Sequence, residues 1–259
     1  MTLATHLRSG WSDLLSAMQF LTRIPMPSRS YEAGSLSRSV KFFPLVGLIV
    51  GGGAALLHFF LAPHLPRVVT AFVVLVYLVL VTGGLHEDGL ADAADGFGGG
   101  TSREKVLLIL RDSRIGSYGG IALVFSLLGR LILIASLPLS LVLYYLLAAN
   151  VLCRWTVLPL SYFLPSAREQ QASEPDGQGA RIARQISIVA LIGGTVFSFA
   201  ISAAFLKVFA IGPILSAILM TWLTGAYYNR RIGGVTGDCF GATIQLAEIG
   251  IYLCGAWIL

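Results

Sequence analysis

Long runs of apolar residues, separated by short polar stretches, dominate the chain from residue 43 onwards. A helix that crosses the hydrocarbon core of a bilayer needs about 20 such residues. Helices also satisfy all their backbone hydrogen bonds internally, as hydrocarbon requires. The pattern therefore predicts about seven membrane-spanning helices. They cover roughly residues 43–61, 68–85, 118–137, 140–160, 186–206, 210–228 and 240–259.

The first 42 residues show a different pattern, with apolar residues on one face of a helix. These residues are Trp11, Leu14, Leu15, Met18 and Leu21. Such a face predicts an amphipathic helix at the membrane interface, which Pro25 and Pro27 would end. We expect a single integral membrane domain, in which 1–42 is cytoplasmic or interfacial and 43–259 is a transmembrane bundle with cytoplasmic active-site loops.

Composition and charge support an all-α, polytopic membrane protein. The chain is 56% hydrophobic and 12% charged, whereas soluble domains are about 25% charged. With the N-terminus in the cytoplasm, fifteen Lys and Arg residues fall on the cytoplasmic side and two, Arg67 and Lys207, on the outer side. This bias predicts a cytoplasmic N-terminus. It also accounts for the net charge of +5, so we expect membrane lipid and no nucleic acid as a partner.

Six of the thirteen acidic residues lie between positions 87 and 112. Among them Asp88, Asp92 and Asp95 share one face of a helix, since they are spaced i, i+4, i+7. Carboxylates stacked in this way repel each other unless a cation lies among them, and hard oxygen ligands suit Mg²⁺, with Mn²⁺ as an alternative. The simpler interpretation is a solvated helix end. His86, beside them, is interpreted as an acid or base, or as a hydrogen-bonding group that supports the site.

A second cluster is the segment Arg-Asp-Ser-Arg-Ile-Gly at 111–116. Asp112 is a candidate metal ligand or general base. Arg111 and Arg114 have the forked donor geometry that grips phosphate oxygens. The alternative is a positively charged flank of the third span. Arg23 has the same two interpretations, as a contact to an anionic substrate or to lipid headgroups.

A third cluster follows the glycine-rich turn at 233–237. Asp238 is predicted to complete the metal or phosphate site. Glu248 lies deeper in the same helix and Arg130 lies inside the third span, where ionisable residues are costly and often functional. Their roles stay open, since Glu248 is equally compatible with a hydrogen-bonded packing residue.

At these residues the chain strongly resembles the cobalamin synthase family (adenosylcobinamide-GDP ribazoletransferase). The matching segments are Phe-Leu-Thr-Arg-Ile-Pro at 20–25, Phe-Pro-Leu-Val-Gly at 43–47, Gly-Gly-Leu-His-Glu-Asp-Gly-Leu-Ala-Asp-Ala-Ala-Asp-Gly at 83–96, the segment 111–116 and Gly-Val-Thr-Gly-Asp at 234–238. The resemblance implies a Mg²⁺-dependent enzyme of the bacterial inner membrane, with its active site facing the cytoplasm. Its substrates would be adenosylcobinamide-GDP and α-ribazole or its 5′-phosphate.

The resemblance implies that a hydroxyl of the ribazole attacks the corrinoid-linked phosphate and that GMP leaves. Asp88, Asp92 and Asp95 would hold metal, with Asp238 or Asp112 completing the set. Arg111 and Arg114 would hold the pyrophosphate, and His86 or an aspartate would take the proton. Two other classes stay open: an ion-coupled transporter with intramembrane carboxylates, and a structural scaffold. So does assembly as a homo-oligomer or in a corrinoid-assembly complex.

Overall fold

The structure is a computed structural model that describes residues 3–26, 35–112, 114–168 and 186–257. Pro27, Arg29, Arg181, Arg184 and the last two residues of the seventh predicted span lie outside these ranges. The helices are α1 (Leu3–Leu21), α2 (Ser35–Ser39), α3 (Phe43–Leu61), α4 (Arg67–Thr82), α5 (Leu85–Gly99), α6 (Arg103–Ile109), α7 (Ser117–Ser136), α8 (Val142–Trp155), α9 (Val157–Phe163), α10 (Ile188–Leu206), α11 (Ile211–Ile232) and α12 (Gly237–Ala256).

The prediction of an all-α membrane protein is confirmed. Five helical segments within the described residues are long and apolar enough to cross a membrane, or six if the bent pair α4 and α5 forms one span. The prediction was seven. The difference arises because 188–232 is one continuous helical segment of 45 residues, divided by a 3₁₀ turn at Lys207–Ala210, and because α4 has only 16 residues. The number of spans and their orientation stay predictions.

The centre of the bundle is formed by the segment α8–α9 and by α12. In their most apolar stretches 78% and 67% of the residues are buried, against 22% for α7. Close helix contacts depend on glycine. A Cβ on Gly51 of α3 would lie 2.8 Å from the carbonyl oxygen of Leu146 on α8. The outer helices expose large apolar side chains such as Phe125, Val189 and Trp222, as expected of surfaces that face lipid.

The predicted amphipathic helix is α1, which ends at Leu21, before Pro25. Met18 and Leu21 are buried in the main core, while Trp11 is 60% exposed. Part of the apolar face therefore packs on the bundle instead of facing lipid. An ion pair that the sequence did not indicate holds the helix there: the partly exposed Lys41 donates to the buried carboxylate of Asp13 over 2.8 Å.

The two ends of the bundle differ in their polar contacts. At one end the guanidinium of Arg67 donates to the carbonyl of Leu137, so the start of α4 and the end of α7 lie together, as the predicted topology requires. At the other end arginines join the polar connections. Arg231 donates to the carbonyl of Gly100 over 2.7 Å, and Arg103 donates to those of Ile232 (2.9 Å) and Ala167 (3.0 Å). The predicted site residues lie at this second end.

Candidate active site

Helix α5, which carries the aspartates, begins at a sharp bend. Gly83 and Gly84 both have left-handed φ angles, 66° and 71°, which glycine adopts without the steric cost of a Cβ. Their N–H groups donate to Leu80 and Val79 over 3.1 and 2.9 Å, and this Schellman motif ends α4. The axes of α4 and α5 then differ by 85°.

Helices α5 and α12 are in direct backbone contact through two glycines. A Cβ on Gly89 would lie 3.1 Å from the Cα of Gly241, and a Cβ on Gly241 would lie equally close to the Cα of Gly89. Asp238 is in the first turn of α12, one turn before Gly241. The glycine contact therefore places Asp238 beside α5.

The four predicted metal ligands lie near one another. Asp92 is close enough to Asp88, Asp95 and Asp238 for the charges of all three to act on it. Within the described residues no group of three or more His, Cys, Asp or Glu side chains is arranged to hold a metal ion by itself. Mg²⁺ is commonly bound through one or two carboxylates, water and substrate phosphates. The acidic set fits that mode, and metal ligation stays a prediction.

Asp88 and Asp92 line a cavity of about 830 Å³, within the ~300–1,000 Å³ typical of small-molecule sites. No hydrogen bond between described residues involves either carboxylate. Their oxygens are therefore available to a ligand in the cavity. This is the environment expected of Mg²⁺ ligands that share the ion with a substrate.

Arg23 also lines the larger cavity, as expected of a residue that contacts an anionic substrate. The backbone N–H of Arg23 donates to the carbonyl of Val81 over 2.7 Å. Its side chain lies against Gly83, where a Cβ would collide with Nε. The loop after α1 is thereby tied to the bend between α4 and α5.

A smaller cavity of about 230 Å³ lies next to the first. Phe20, Leu85 and Asp88 line both cavities. His86 lines the smaller one and is 4% exposed, and its Nε2 has no hydrogen-bond partner among the described residues. Asp238 also lines it, so the predicted residues are divided between two cavities that meet at Asp88.

Asp95 has a different environment from Asp88 and Asp92. Its carboxylate accepts backbone N–H groups from Gly116 (2.7 Å) and Gly119 (2.9 Å). It therefore joins α5 to the beginning of α7, where a carboxylate is favoured by the unpaired N–H groups and the helix dipole. A Cβ on Gly116 or Gly119 would collide with this carboxylate, which explains glycine at both positions.

The segment before α7 is at the rim of the larger cavity, which Ile115 lines. Arg111 and Arg114 are exposed. The Arg114 side chain donates to both oxygens of Asp112, with a shortest distance of 2.7 Å. These hydrogen bonds lower the pKa of Asp112 to about 2. The structure brings the segment to the site but does not place Asp112 inside either cavity.

Arg168 is a site residue that no motif in the sequence indicated. Its guanidinium donates to Asp238 and to the carbonyl of Leu110, both over 3.3 Å, and it lines the smaller cavity. In the sequence it was counted only as a positive residue of a cytoplasmic loop. Asp238 lies 70 positions away, so no local spacing could reveal the pair.

A buried polar network joins α5 to α7 and α12. Arg130 donates to Glu87 over 2.6 Å and to Glu248 over 3.3 Å. Gln245 donates to Glu87 over 3.0 Å and accepts from Ser126 over 2.9 Å. All five are buried. The two intramembrane residues whose roles were open, Arg130 and Glu248, are thus ion-paired inside the bundle.

Comparisons with known proteins agree with the resemblance in the sequence. A family model described as cobalamin-5-phosphate synthase matches residues 13–256. A protein of Azorhizobium caulinodans named adenosylcobinamide-GDP ribazoletransferase is 43% identical, covering 95% of this chain and 96% of the relative. Proteins of the same name from Leptospira interrogans and Shewanella woodyi are 35% and 37% identical at the same coverage. No solved structure matches the chain.

Proposed function

Because the chain belongs to the cobalamin-5-phosphate synthase family, we propose that it is an adenosylcobinamide-GDP ribazoletransferase, the activity named for its relatives. It assembles the nucleotide loop of cobalamin. A hydroxyl oxygen of α-ribazole or its 5′-phosphate attacks the corrinoid-linked phosphorus of adenosylcobinamide-GDP. The bond from this phosphorus to the oxygen of GMP breaks, GMP leaves with that oxygen, and the hydroxyl loses its proton.

The observation that carries this proposal is the pair Asp88 and Asp92, one helical turn apart on the wall of the larger cavity and without hydrogen bonds to described residues. Displacement at a diphosphate depends mainly on positioning and charge neutralisation. Carboxylates cannot attract a diphosphate by themselves, but they bind the cations that accompany it. The site is therefore suited to a diphosphate with its divalent ion.

Asp88 and Asp92 would hold Mg²⁺, or Mn²⁺, with Asp238 nearby. A bound ion of this kind neutralises phosphate charge and stabilises the leaving oxygen. Asp95 is a weaker candidate, since both its oxygens accept backbone N–H groups of α7. Its main effect is to fix α5 against α7.

His86 is the better candidate for the group that takes the hydroxyl proton. It lines the smaller cavity beside Asp88, with an unpartnered Nε2. Asp112 is a poorer candidate, because it lines neither cavity and its carboxylate is held by hydrogen bonds from Arg114, which lower its pKa to about 2. The anionic groups of the substrate would be held by Arg23 from the cavity wall and by Arg111 and Arg114 from the rim.

We place the enzyme in the bacterial inner membrane with the site facing the cytoplasm. The support is the positive-inside bias and the common location of the site and the polar connections at one end of the bundle. Assembly as a homo-oligomer or in a corrinoid-assembly complex stays a prediction.

The decisive experiment measures GMP release by the purified protein from adenosylcobinamide-GDP and α-ribazole with Mg²⁺. The proposal predicts GMP and a corrinoid product in equal amounts, dependent on both substrates. Absence of turnover, with uptake of an ion or solute by proteoliposomes, would favour the transporter instead. A scaffold would keep its cellular effect after Asp88→Asn and Asp92→Asn together.

A further inference from the structure

The smaller cavity has an uneven lining that the reaction chemistry alone does not explain. Three of its lining residues are aromatic: Phe20 of α1 and Phe43 of α3 have nearly parallel rings, 5.9 Å apart and inclined by 10°, and Phe240 of α12 adds a third ring. The polar lining residues are His86, Asp88, Arg168 and Asp238. Such a site suits a flat aromatic group with few polar atoms.

Two buried polar atoms in this lining lack partners among the described residues. They are Nε2 of His86 and Nε of Arg168. An arginine Nε–H is always a donor, and a buried donor without an acceptor costs about 1–3 kcal/mol. A ligand with one acceptor atom on an otherwise apolar ring would accept a hydrogen bond from such a donor. The same ring would pack against the phenyl groups of the lining.

Size and position restrict the ligand further. At about 230 Å³ the cavity is below the ~300–1,000 Å³ of sites for whole drug-sized ligands, so it suits one ring system and not an entire substrate. It meets the larger cavity at Asp88. A base bound here would leave its attached sugar at Asp88, next to the space available to the diphosphate.

We propose that the smaller cavity binds the bicyclic aromatic base of the ribazole, while the larger cavity receives the diphosphate of the second substrate. The assignment rests on the proposed function. The benzimidazole base has one ring nitrogen that accepts a hydrogen bond and an otherwise apolar edge, which matches the lining. Guanine fits less well, because its ring and amino N–H groups would need the carboxylates of Asp88 and Asp238. The proposed function uses these carboxylates for the divalent ion, and Asp238 already accepts from Arg168 and Thr236.

The test reduces the volume of the smaller cavity by enlarging apolar side chains that line it. Val157 and Ile244 line it and are buried, and neither has a proposed chemical role. In the series Val157→Ile, Val157→Leu and Val157→Phe we expect KM for α-ribazole to rise progressively, by about tenfold or more for Phe, because overpacking excludes the ring. KM for adenosylcobinamide-GDP should change less than about twofold. Ile244→Phe should give the same result, which protects the test against misfolding of one variant.

A matched control is Ala226→Leu, in an apolar groove between α9 and α11, which should leave both KM values unchanged. Titration of the Mg²⁺-loaded protein with α-ribazole alone should show the same loss of affinity in the filled variants. The inference is overturned if the folded filled variants bind ribazole normally, or if KM rises for adenosylcobinamide-GDP instead, which would place guanine in the cavity. Failure of the proposed function is distinct, because the unmodified protein would then release no GMP.

Discussion

Glu87 and Asp88 are neighbours in the first turn of α5 and both line the larger cavity, yet their polar contacts differ. Glu87 is 8% exposed and accepts hydrogen bonds from Arg130 and Gln245. Asp88 is exposed to both cavities and has no side-chain hydrogen bond within the described part of the chain. Successive residues on a helix point about 100° apart, so a single helix can pair one carboxylate with residues inside the bundle and leave the next without a protein partner.

The difference separates two uses of negative charge in an apolar protein. A buried carboxylate is tolerated when the protein supplies its counter-charge and hydrogen bonds, as the Arg130 network does for Glu87. A carboxylate that lacks such partners and lies beside other carboxylates needs a bound ligand to supply the balancing positive charge. Loss of the first kind should therefore damage the fold, and loss of the second kind should damage turnover.

The largest effect is expected at Arg130. Arg130→Met leaves Glu87 and Glu248 buried without their cation, which costs about 3–5 kcal/mol. We expect the variant to lose most folded protein in membranes, measured by thermal unfolding and size-exclusion chromatography in detergent. Arg130→Lys, which keeps the charge, should retain more. A normal melting temperature for Arg130→Met would show that the network does not stabilise the bundle.

Asp92 gives the opposite pattern. We expect Asp92→Asn to lower kcat by about 100-fold or more, equal to about 2.7 kcal/mol at 1.36 kcal/mol per tenfold. Stability should be unchanged or higher, because the substitution relieves repulsion from Asp88, Asp95 and Asp238. The measurements are GMP release and the melting temperature of the same preparation.

The control for Asp92 is Glu104→Gln, an exposed carboxylate on α6 outside both cavities, which should alter neither quantity. Full activity of Asp92→Asn with unchanged protein levels would remove the metal assignment. A drop in both activity and stability would place Asp92 with Glu87, as a structural carboxylate.

Asp95 lies between the structural carboxylate Glu87 and the cavity carboxylate Asp92, and its substitution tests to which of the two kinds it belongs. Asn keeps one acceptor oxygen and loses the charge, so Asp95→Asn should weaken the contact to α7 by about 1–2 kcal/mol and lower kcat about tenfold. Gly116→Ala should behave alike, since its methyl group would collide with the Asp95 carboxylate. If Asp95→Asn reduces kcat as much as Asp92→Asn while Gly116→Ala does not, Asp95 acts as a metal ligand.

Local spacing predicted the part of the site that one helix carries. The shared helix face of Asp88, Asp92 and Asp95 follows from 3.6 residues per turn, whereas the predicted span 68–85 ran through Gly83 and Gly84, where the structure bends. Spacing could not show that Asp95 is occupied by N–H groups from residues 21 and 24 positions later. The sequence also gave no sign that Glu87 is the carboxylate paired with Arg130 and Gln245.

The contacts between helices were not predictable from any window of the chain. Arg130 meets Glu87 across 43 positions and Glu248 across 118. The approach of α5 to α12 depends on Gly89 and Gly241, and no local pattern indicates that these two glycines meet. Helix existence follows from local hydropathy, whereas the partner of each buried charge follows from packing.

The smallest effect is expected at Asp112. Its exposed ion pair with Arg114 is neither buried in the bundle nor part of a cavity lining. Hydrogen bonds from Arg114 lower the pKa of Asp112 to about 2, below its ordinary 3.8, so the carboxylate is ionised at every pH above about 4 and does not titrate between pH 5 and 9. Asp112→Asn should therefore leave the shape of the pH profile of kcat/KM unchanged over that range. KM for adenosylcobinamide-GDP should rise about threefold, because Arg114 loses its tether. If the variant instead loses about 100-fold in kcat, Asp112 acts directly in catalysis and the comparison must include a third, exposed carboxylate.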